Sequence, residues 1–222
     1  GAQFAPLTEA KAVTGSGLAK GIVFRLTERM GSFPRCDAAQ EIACLNKTDR
    51  QALRRAGVRF GRESVYVPAL LKPAAVRLRR LLWCLYNDTG SGLPMPPPGR
   101  VSVAGADRVA DAYWEAIGYR AMGLRAVRID IVERIAGRAW ALARTGPFAA
   151  GAELLTIAGC GADEMAEILN RLGYRQETRG GKVRYRLKLR SRRKYTKLPP
   201  RQPAAPAEGS PFEKLRDLVV ER

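Results

Sequence analysis

The chain has 222 residues, of which 46% are hydrophobic, and this is enough for one large domain or two small ones with a buried core. Its formal net charge of +18 favours a polyanionic partner and does not by itself decide the fold. No apolar run approaches the ~18 residues of a membrane span, and the sequence has neither histidine nor a CxxC pair, so it predicts no membrane segment and no zinc site.

The positive charge is concentrated in two stretches of the chain. Residues 171–201 hold thirteen Lys and Arg and one acid, Glu177, while residues 50–80 hold nine and one acid, Glu63. Because the rest of the chain is nearly neutral, this distribution indicates binding surfaces more than general solubility. The residues leave open whether the 50–80 patch lines a channel or meets acidic faces of another domain.

The cysteines indicate the cellular compartment, and the first residues indicate a longer parent protein. The 4 cysteines are expected to be reduced and mostly buried in a cytoplasmic protein, because no signal peptide is present and a domain of average size does not need disulfides. The chain opens on Gly1 without Met, which indicates a segment cut from a longer protein.

Residues 1–87 are predicted to form a helical domain with a small β-hairpin. Apolar spacing predicts helices over 17–30, 37–45, 48–57 and 72–86, and short strands over 58–60 and 65–67. Thr48 is the predicted N-cap of the third helix. In the helix over 72–86, the leucines are expected on the core side, with Arg77, Arg79 and Arg80 mainly off it.

Residues 88–100 are rich in Gly, Pro and Asn and are predicted to be a linker. Beyond it, residues 101–190 are predicted to form a winged-helix-like domain. Its expected elements are helices over 105–117, 126–143, 151–158 and 162–172, a strand over 119–122 and a hairpin over 174–189. Trp140 is expected among the inward residues of its helix. The overall class is mainly α with small β-hairpins, or α+β.

The order of three helices and a hairpin supports the winged-helix interpretation. Gly159-Cys160-Gly161 provides the turn between the last two helices, as in a helix-turn-helix. Gly180 and Gly181 tolerate the positive φ of a tight hairpin turn. The alternative is a generic helical domain with an edge hairpin whose cations only block aggregation.

The second hairpin strand alternates strictly between apolar residues and cations. Because side chains alternate across a strand, Arg184, Arg186, Lys188 and Arg190 share one face, and the basic run that follows adds Tyr195 for base stacking. The predicted nucleic-acid-binding residues are Arg171, Arg175, Arg179, Lys182, Arg184, Arg186, Lys188, Arg190, Arg192, Arg193, Lys194, Tyr195, Arg77 and Arg80.

The would-be recognition helix argues against reading of base edges. It carries Asp163, Glu164 and Glu167 and one base, Arg171, and carboxylates facing phosphates would repel them. The predicted contact is therefore with the sugar-phosphate backbone and has little sequence specificity. Residues 191–222 are predicted to be a basic and then Pro/Ala-rich tail, with a short terminal helix over 212–219.

The residues predict no active site, metal site or cofactor site in this segment. The Gly-rich run over 15–21 does not match a Walker A loop, carboxylates are not clustered, and histidine, the common general base, is absent. We therefore expect a non-enzymatic segment.

Two runs carry a likeness to a known family: AGVRFG at 56–61 and VYVPALLKPAAVRLRRLLW at 65–83. Weaker likeness lies at 96–101, 117–120 and 173–175. Together they resemble the C-terminal region of bacterial superfamily-two helicase-related proteins, similar to the mitochondrial degradosome-type RNA helicase. The resemblance implies a parent ATP-dependent helicase whose core, elsewhere in the polypeptide, uses ATP and magnesium.

The leading hypothesis is a non-catalytic nucleic-acid-binding accessory region that holds or guides an RNA or DNA strand, with the helicase core of the same polypeptide as its second partner and no membrane contact. The alternative is a protein-interaction scaffold that uses the winged helix and the 212–219 helix. A third hypothesis is a ribosome-associated protein.

Overall fold

A computed structural model describes residues 4–11, 16–89, 92–179 and 181–188, all within the contact unit Gly1–Lys188. The helices are α1 (Ala5–Lys11), α2 (Gly17–Glu28), α3 (Ala39–Cys44), α4 (Lys47–Arg55), α5 (Pro73–Tyr86), α6 (Asp111–Ala116), α7 (Ile129–Ala143), α8 (Ala152–Ala158) and α9 (Ala162–Arg171). The strands are β1 (Ser32–Pro34), β2 (Arg59–Phe60), β3 (Ser64–Tyr66), β4 (Ser102–Ala104), β5 (Tyr119–Met122), β6 (Arg125–Arg128), β7 (Tyr174–Arg179) and β8 (Lys182–Leu187). The predicted α+β class is confirmed. Within the described ranges, no helix has the length and apolar character that a membrane crossing requires.

The first sheet is antiparallel, with β3 between β1 and β2. The predicted pairing around Gly61 is therefore confirmed. Val65, at the centre of β3, is fully buried and packs in one core with Leu26 of α2 and Leu53 of α4. The predicted cap of α4 is wrong: Asn46, two residues before Thr48, accepts the amide of Asp49 at 2.7 Å.

A second antiparallel sheet is ordered β4–β6–β5, and its strand β5 confirms the predicted strand over 119–122. The predictions of helix over 105–117 and 126–143 are wrong in part, because residues 106–108 form a 3₁₀ turn and residues 125–128 form β6. The two helices begin later, at Asp111 and Ile129. Gly123, at φ 76°, makes the tight turn between β5 and β6. Ala126 and Val127 are both fully buried, one in each of two neighbouring cores, so this strand lacks the alternation of a half-exposed one.

The core that includes Val127 lies between α7, α8, α9 and the hairpin β7–β8. Its fully buried members include Ile135 of α7 and Ile168 of α9. Phe148, between α7 and α8, forms a β-bridge with Tyr185 of β8, so a third chain segment pairs with the hairpin.

The predicted linker over 88–100 is held by side chains from both sides. Arg80 of α5 donates to Leu93 O at 2.9 Å, and the Tyr113 hydroxyl donates to Pro94 O at 2.5 Å. The division of the chain into two domains at this segment stays a prediction.

Helix α5 turns a different face inward from the one expected. Its buried residues are Ala75, Val76 and Arg79, while Leu82 and Leu85 are exposed to 38% and 70%. The sequence pattern was misleading because leucine spacing alone does not distinguish a core face from an apolar surface face.

Arg79 is fully buried and bonds to three other segments. Its Nε donates to Ala116 O (2.6 Å), its Nη1 to Leu70 O (3.2 Å), and its Nη2 to Ser32 Oγ (3.0 Å) and Glu115 O (3.2 Å). Burial lowers the pKa of this guanidinium to about 9, so it carries its charge at neutral pH. Since the last carbonyls of a helix lack intrahelical partners, Arg79 supplies donors to the end of α6.

We expect Arg79→Met to lower the free energy of unfolding by about 3 kcal/mol or more, because it leaves buried oxygens without donors. Arg77→Met is the matched control: Arg77 is exposed on the same helix, and its replacement should change stability by at most ~0.5 kcal/mol. Urea denaturation monitored by circular dichroism measures both. Equal effects for the two variants would contradict a structural role for Arg79.

Glu133 of α7 bonds to the loop between β2 and β3. Its carboxylate accepts the amides of Arg62 (2.5 Å), Glu63 (3.0 Å) and Ser64 (2.6 Å). Burial raises the pKa of Glu133, and the three amide donors act in the opposite direction. A Cβ atom at Gly61 would lie 2.1 Å from the Glu133 carboxyl carbon, so this close approach requires glycine.

We expect Gly61→Ala to lower the free energy of unfolding by about 1–3 kcal/mol by displacing the Glu133 carboxylate. The same substitution in a Glu133→Ala background should cost much less, and thermal unfolding of the four proteins in this double-mutant cycle measures the coupling. Gly137→Ala is the control, since space around Gly137 is open and alanine is the better helix former. If the losses of unfolding free energy for Gly61→Ala and Glu133→Ala simply add in the double variant, the two positions are not coupled, which would contradict this account.

Candidate nucleic-acid interface

Two tyrosines on one side of the hairpin β7–β8 pack against the core, while Val183 and Leu187 on that side are exposed to 41% and 50%. Tyr174 and Tyr185 are buried against Phe148, with ring centroids 5.4 and 6.0 Å from its ring. Burial raises the pKa of both tyrosines. The amide of Tyr185 donates to Phe148 O at 2.7 Å. Because strand side chains alternate, this anchoring points the cationic residues of the hairpin away from the core.

The backbone register brings the cations of the two strands together. Arg175 lies opposite Arg186, Glu177 opposite Arg184, and Arg179 opposite Lys182. Directly opposed residues lie on the same side of a sheet. Arg175, Lys182, Arg184 and Arg186 are exposed. We call the outward side, with residues 175, 177, 182, 184, 186 and 188, the cationic face.

The cationic face holds one acid, and that acid is paired. Arg175 Nη2 lies 2.8 Å from Glu177 Oε1. At the other end, Lys188 Nζ donates to Asn170 Oδ1 of α9 at 2.6 Å. This contact joins the hairpin to the last turn of α9, where Arg171 is exposed. The cationic face therefore continues from β8 to the end of α9.

The acids of α9 are oriented differently from the expectation. Glu164 pairs with Arg125 at 2.8 Å, and Glu167 accepts the Leu124 amide at 2.9 Å. The hydrogen bond from Arg125 lowers the pKa of the partly exposed Glu164 carboxyl. Two of the three acids expected to repel a strand are therefore engaged by partners within the chain, while Asp163 is exposed.

The remaining predicted residues are dispersed. Arg77 is exposed on α5, and half-buried Arg80 donates to Leu93 O. The side chain of Arg179 is not described. The other predicted residues, together with the 212–219 segment, lie outside the described residues: Arg190, Arg192, Arg193, Lys194 and Tyr195.

A second cationic cluster, which the sequence did not predict, surrounds Trp140. The guanidinium carbons of Arg62 and Arg144 lie 4.2 and 5.2 Å from the ring centroid of Trp140, whose surface is 38% exposed. Trp140 was predicted to point inward, and that prediction is wrong. The spacing of Trp140 and Arg144, one helical turn apart, was the available signal. The approach of Arg62 depends on tertiary structure, and sequence spacing gave no sign of it.

Among the described residues, no group of three or more His, Cys, Asp or Glu side chains could hold a metal ion. Cys36 and Cys44 are exposed, contrary to the expectation of mostly buried thiols, and Cys84 and Cys160 are half-buried. All four are free thiols.

No protein-family model, curated protein or solved structure matches this chain.

Proposed function

We propose that this chain is a non-catalytic nucleic-acid-binding module that holds a strand through its phosphates. The observation that carries the proposal is the cationic face, whose exposed arginines are held outward by the aromatic anchor on the other side of the hairpin. Alternate residues of an antiparallel strand lie about 6.8 Å apart, which is twice the ~3.4 Å axial spacing of phosphates along one strand of B-form DNA. A row of cations with this period can pair with a phosphate backbone.

The proposed module is a winged helix made of α7, α8, α9 and the hairpin. Support comes from the chain order and from the Phe148–Tyr185 bridge, which adds a short extended segment to the hairpin between the first and second helices. Glu164 and Glu167 of α9 have partners within the chain, while Asp163 in its first turn and Arg171 in its last turn are exposed. This composition favours contact with the backbone over reading of base edges.

The parent protein in this proposal is an ATP-dependent helicase, and the segment guides the strand for a core elsewhere in the polypeptide. The support is the resemblance of residues 56–83. In the fold, that run includes buried Arg79 and the 3₁₀ turn Pro68–Leu71, where Arg79 donates to the Leu70 carbonyl. The free thiols fit a reducing compartment, and we propose the cytoplasm.

A second candidate function, a protein-interaction scaffold, is favoured by the exposed apolar face of α5. Leu81, Leu85 and Tyr86 are exposed to 54%, 70% and 89%. A pull-down after nuclease treatment separates the two functions. A partner that survives nuclease and is lost with Leu81→Glu/Leu85→Glu supports the scaffold, whereas loss on nuclease treatment alone supports a nucleic-acid bridge.

We expect Arg184→Glu/Arg186→Glu to weaken binding of a labelled single-stranded oligonucleotide by about 100-fold or more in dilute salt, because phosphate contacts become repulsive. Fluorescence anisotropy measures the affinity. Lys188 is left in place because it bonds to Asn170. The fold should survive, since both arginines are exposed.

The matched control is Lys20→Glu/Arg108→Glu, which changes the net charge equally at exposed positions on α2 and beside β4. It should bind within about threefold of the unaltered protein, because phosphate pairing is local at moderate salt. Equal losses in the two double variants would show that only net charge matters, and the cationic face would then have no special role.

A further inference from the structure

The Arg62–Trp140–Arg144 cluster brings two positive charges onto one indole ring. The two guanidinium carbons lie 4.2 and 5.2 Å from the same ring centroid. Their separation is at most about 10 Å, comparable to the Debye length at roughly 0.1 M salt, so screening leaves part of their repulsion. A guanidinium stacked on an aromatic face keeps its in-plane N–H groups available to phosphate oxygens.

No carboxylate of the described residues forms an ion pair with either guanidinium. The acids nearest to the Arg62 backbone have other partners. Glu63 lies 3.4 Å from Arg120, and Glu133 accepts the three loop amides. The positive charge of the cluster is therefore not neutralised within the described part of the chain, which favours an anionic ligand.

The charge of Arg62 also acts on the first residue of the hairpin. Burial raises the pKa of Tyr174, and the positive charge of Arg62 partly offsets this rise. The backbone of Arg62 is held against α7, because its amide donates to Glu133. Trp140 lies on the same helix. The contact between Arg62 and Trp140 is thereby built into the packing of α7 on the first sheet.

We propose that the Arg62–Trp140–Arg144 cluster binds an unpaired nucleotide of the strand, with phosphates on the two guanidiniums and a base on the exposed part of the indole. This inference rests on the proposed function, since it assigns a single-stranded region to the ligand of the hairpin. Bases inside a duplex are stacked on each other and cannot reach an aromatic side chain, whereas every unpaired base offers a face for stacking.

The test uses the full chain with a fluorescein-labelled oligouridylate and an RNA duplex of the same length. Trp140→Leu should weaken binding of oligouridylate by about tenfold, the loss of one stacked base. It should change the affinity for duplex by less than about twofold. Trp140→Phe should restore most of the affinity for oligouridylate, because phenylalanine also stacks.

A second pair of variants tests the phosphate contacts. Arg62→Gln/Arg144→Gln should weaken binding of oligouridylate by about tenfold or more. Arg134→Gln, an exposed arginine of the same helix, should leave binding within about twofold. Tryptophan fluorescence provides an independent readout: oligouridylate should quench the unaltered protein and quench Trp140→Phe much less, since Trp114 is 1% exposed and Trp83 is half-buried.

The outcomes separate this inference from the proposed function. If oligouridylate binding requires Arg184 and Arg186 while Trp140→Leu and Arg62→Gln/Arg144→Gln bind normally, the inference is overturned and the hairpin interface stands. If Arg62→Gln/Arg144→Gln weakens binding of oligouridylate and Trp140→Leu does not, the proposed stacking of a base on Trp140 is overturned. If the unaltered protein binds no nucleic acid in dilute salt, both proposals fail together.

Discussion

Arg79 connects the first sheet, the 3₁₀ turn that precedes α5, and the end of α6. A buried guanidinium without a carboxylate partner is costly, and here carbonyl oxygens and one hydroxyl offset part of that cost. The backbone fits closely around it, since a Cβ at Gly118 would lie 2.8 Å from Nη1 of Arg79. Gly118 also has a φ of 86°, which favours glycine. Arg79 therefore links the first sheet to the end of α6, the helix that precedes β5 of the second sheet.

Two carboxylates also link separate segments through hydrogen bonds to the backbone, closer to the hairpin. Glu133 accepts amides from the loop of the first sheet, and Glu167 accepts the amide of Leu124 in the turn of the second sheet. Each meets a glycine that leaves room for its carboxylate, Gly61 and Gly123. Glu133 thereby fixes α7 to the first sheet, and Glu167 fixes α9 to the second, so the hairpin packed on these helices has a defined orientation. This rigidity keeps the cationic face exposed.

The sequence predicted the local features well and the tertiary ones poorly. Alternation over 183–188 was enough to assign the cation row, because a strand with one buried face has a fixed register. Leucine spacing in α5 failed, because the fold buries Arg79 and exposes Leu85. The strand β6 was missed, since Ala126 and Val127 face two different cores and the apolar run continues into α7. The orientation of Glu164 could not be predicted from the sequence, because it depends on a bond to Arg125, which is distant along the chain.

The central claim is that an outward row of arginines and lysines pairs with a phosphate chain. The most direct measurement is the affinity of the full chain for a single-stranded polynucleotide over a range of salt concentrations. The account predicts a linear fall of log Kobs with log salt, with a slope of about −0.7 for each phosphate contacted on a single strand. Several contacts along the cationic face should make this fall steep. An affinity that does not change with salt, or an absence of binding in dilute salt, would contradict the account.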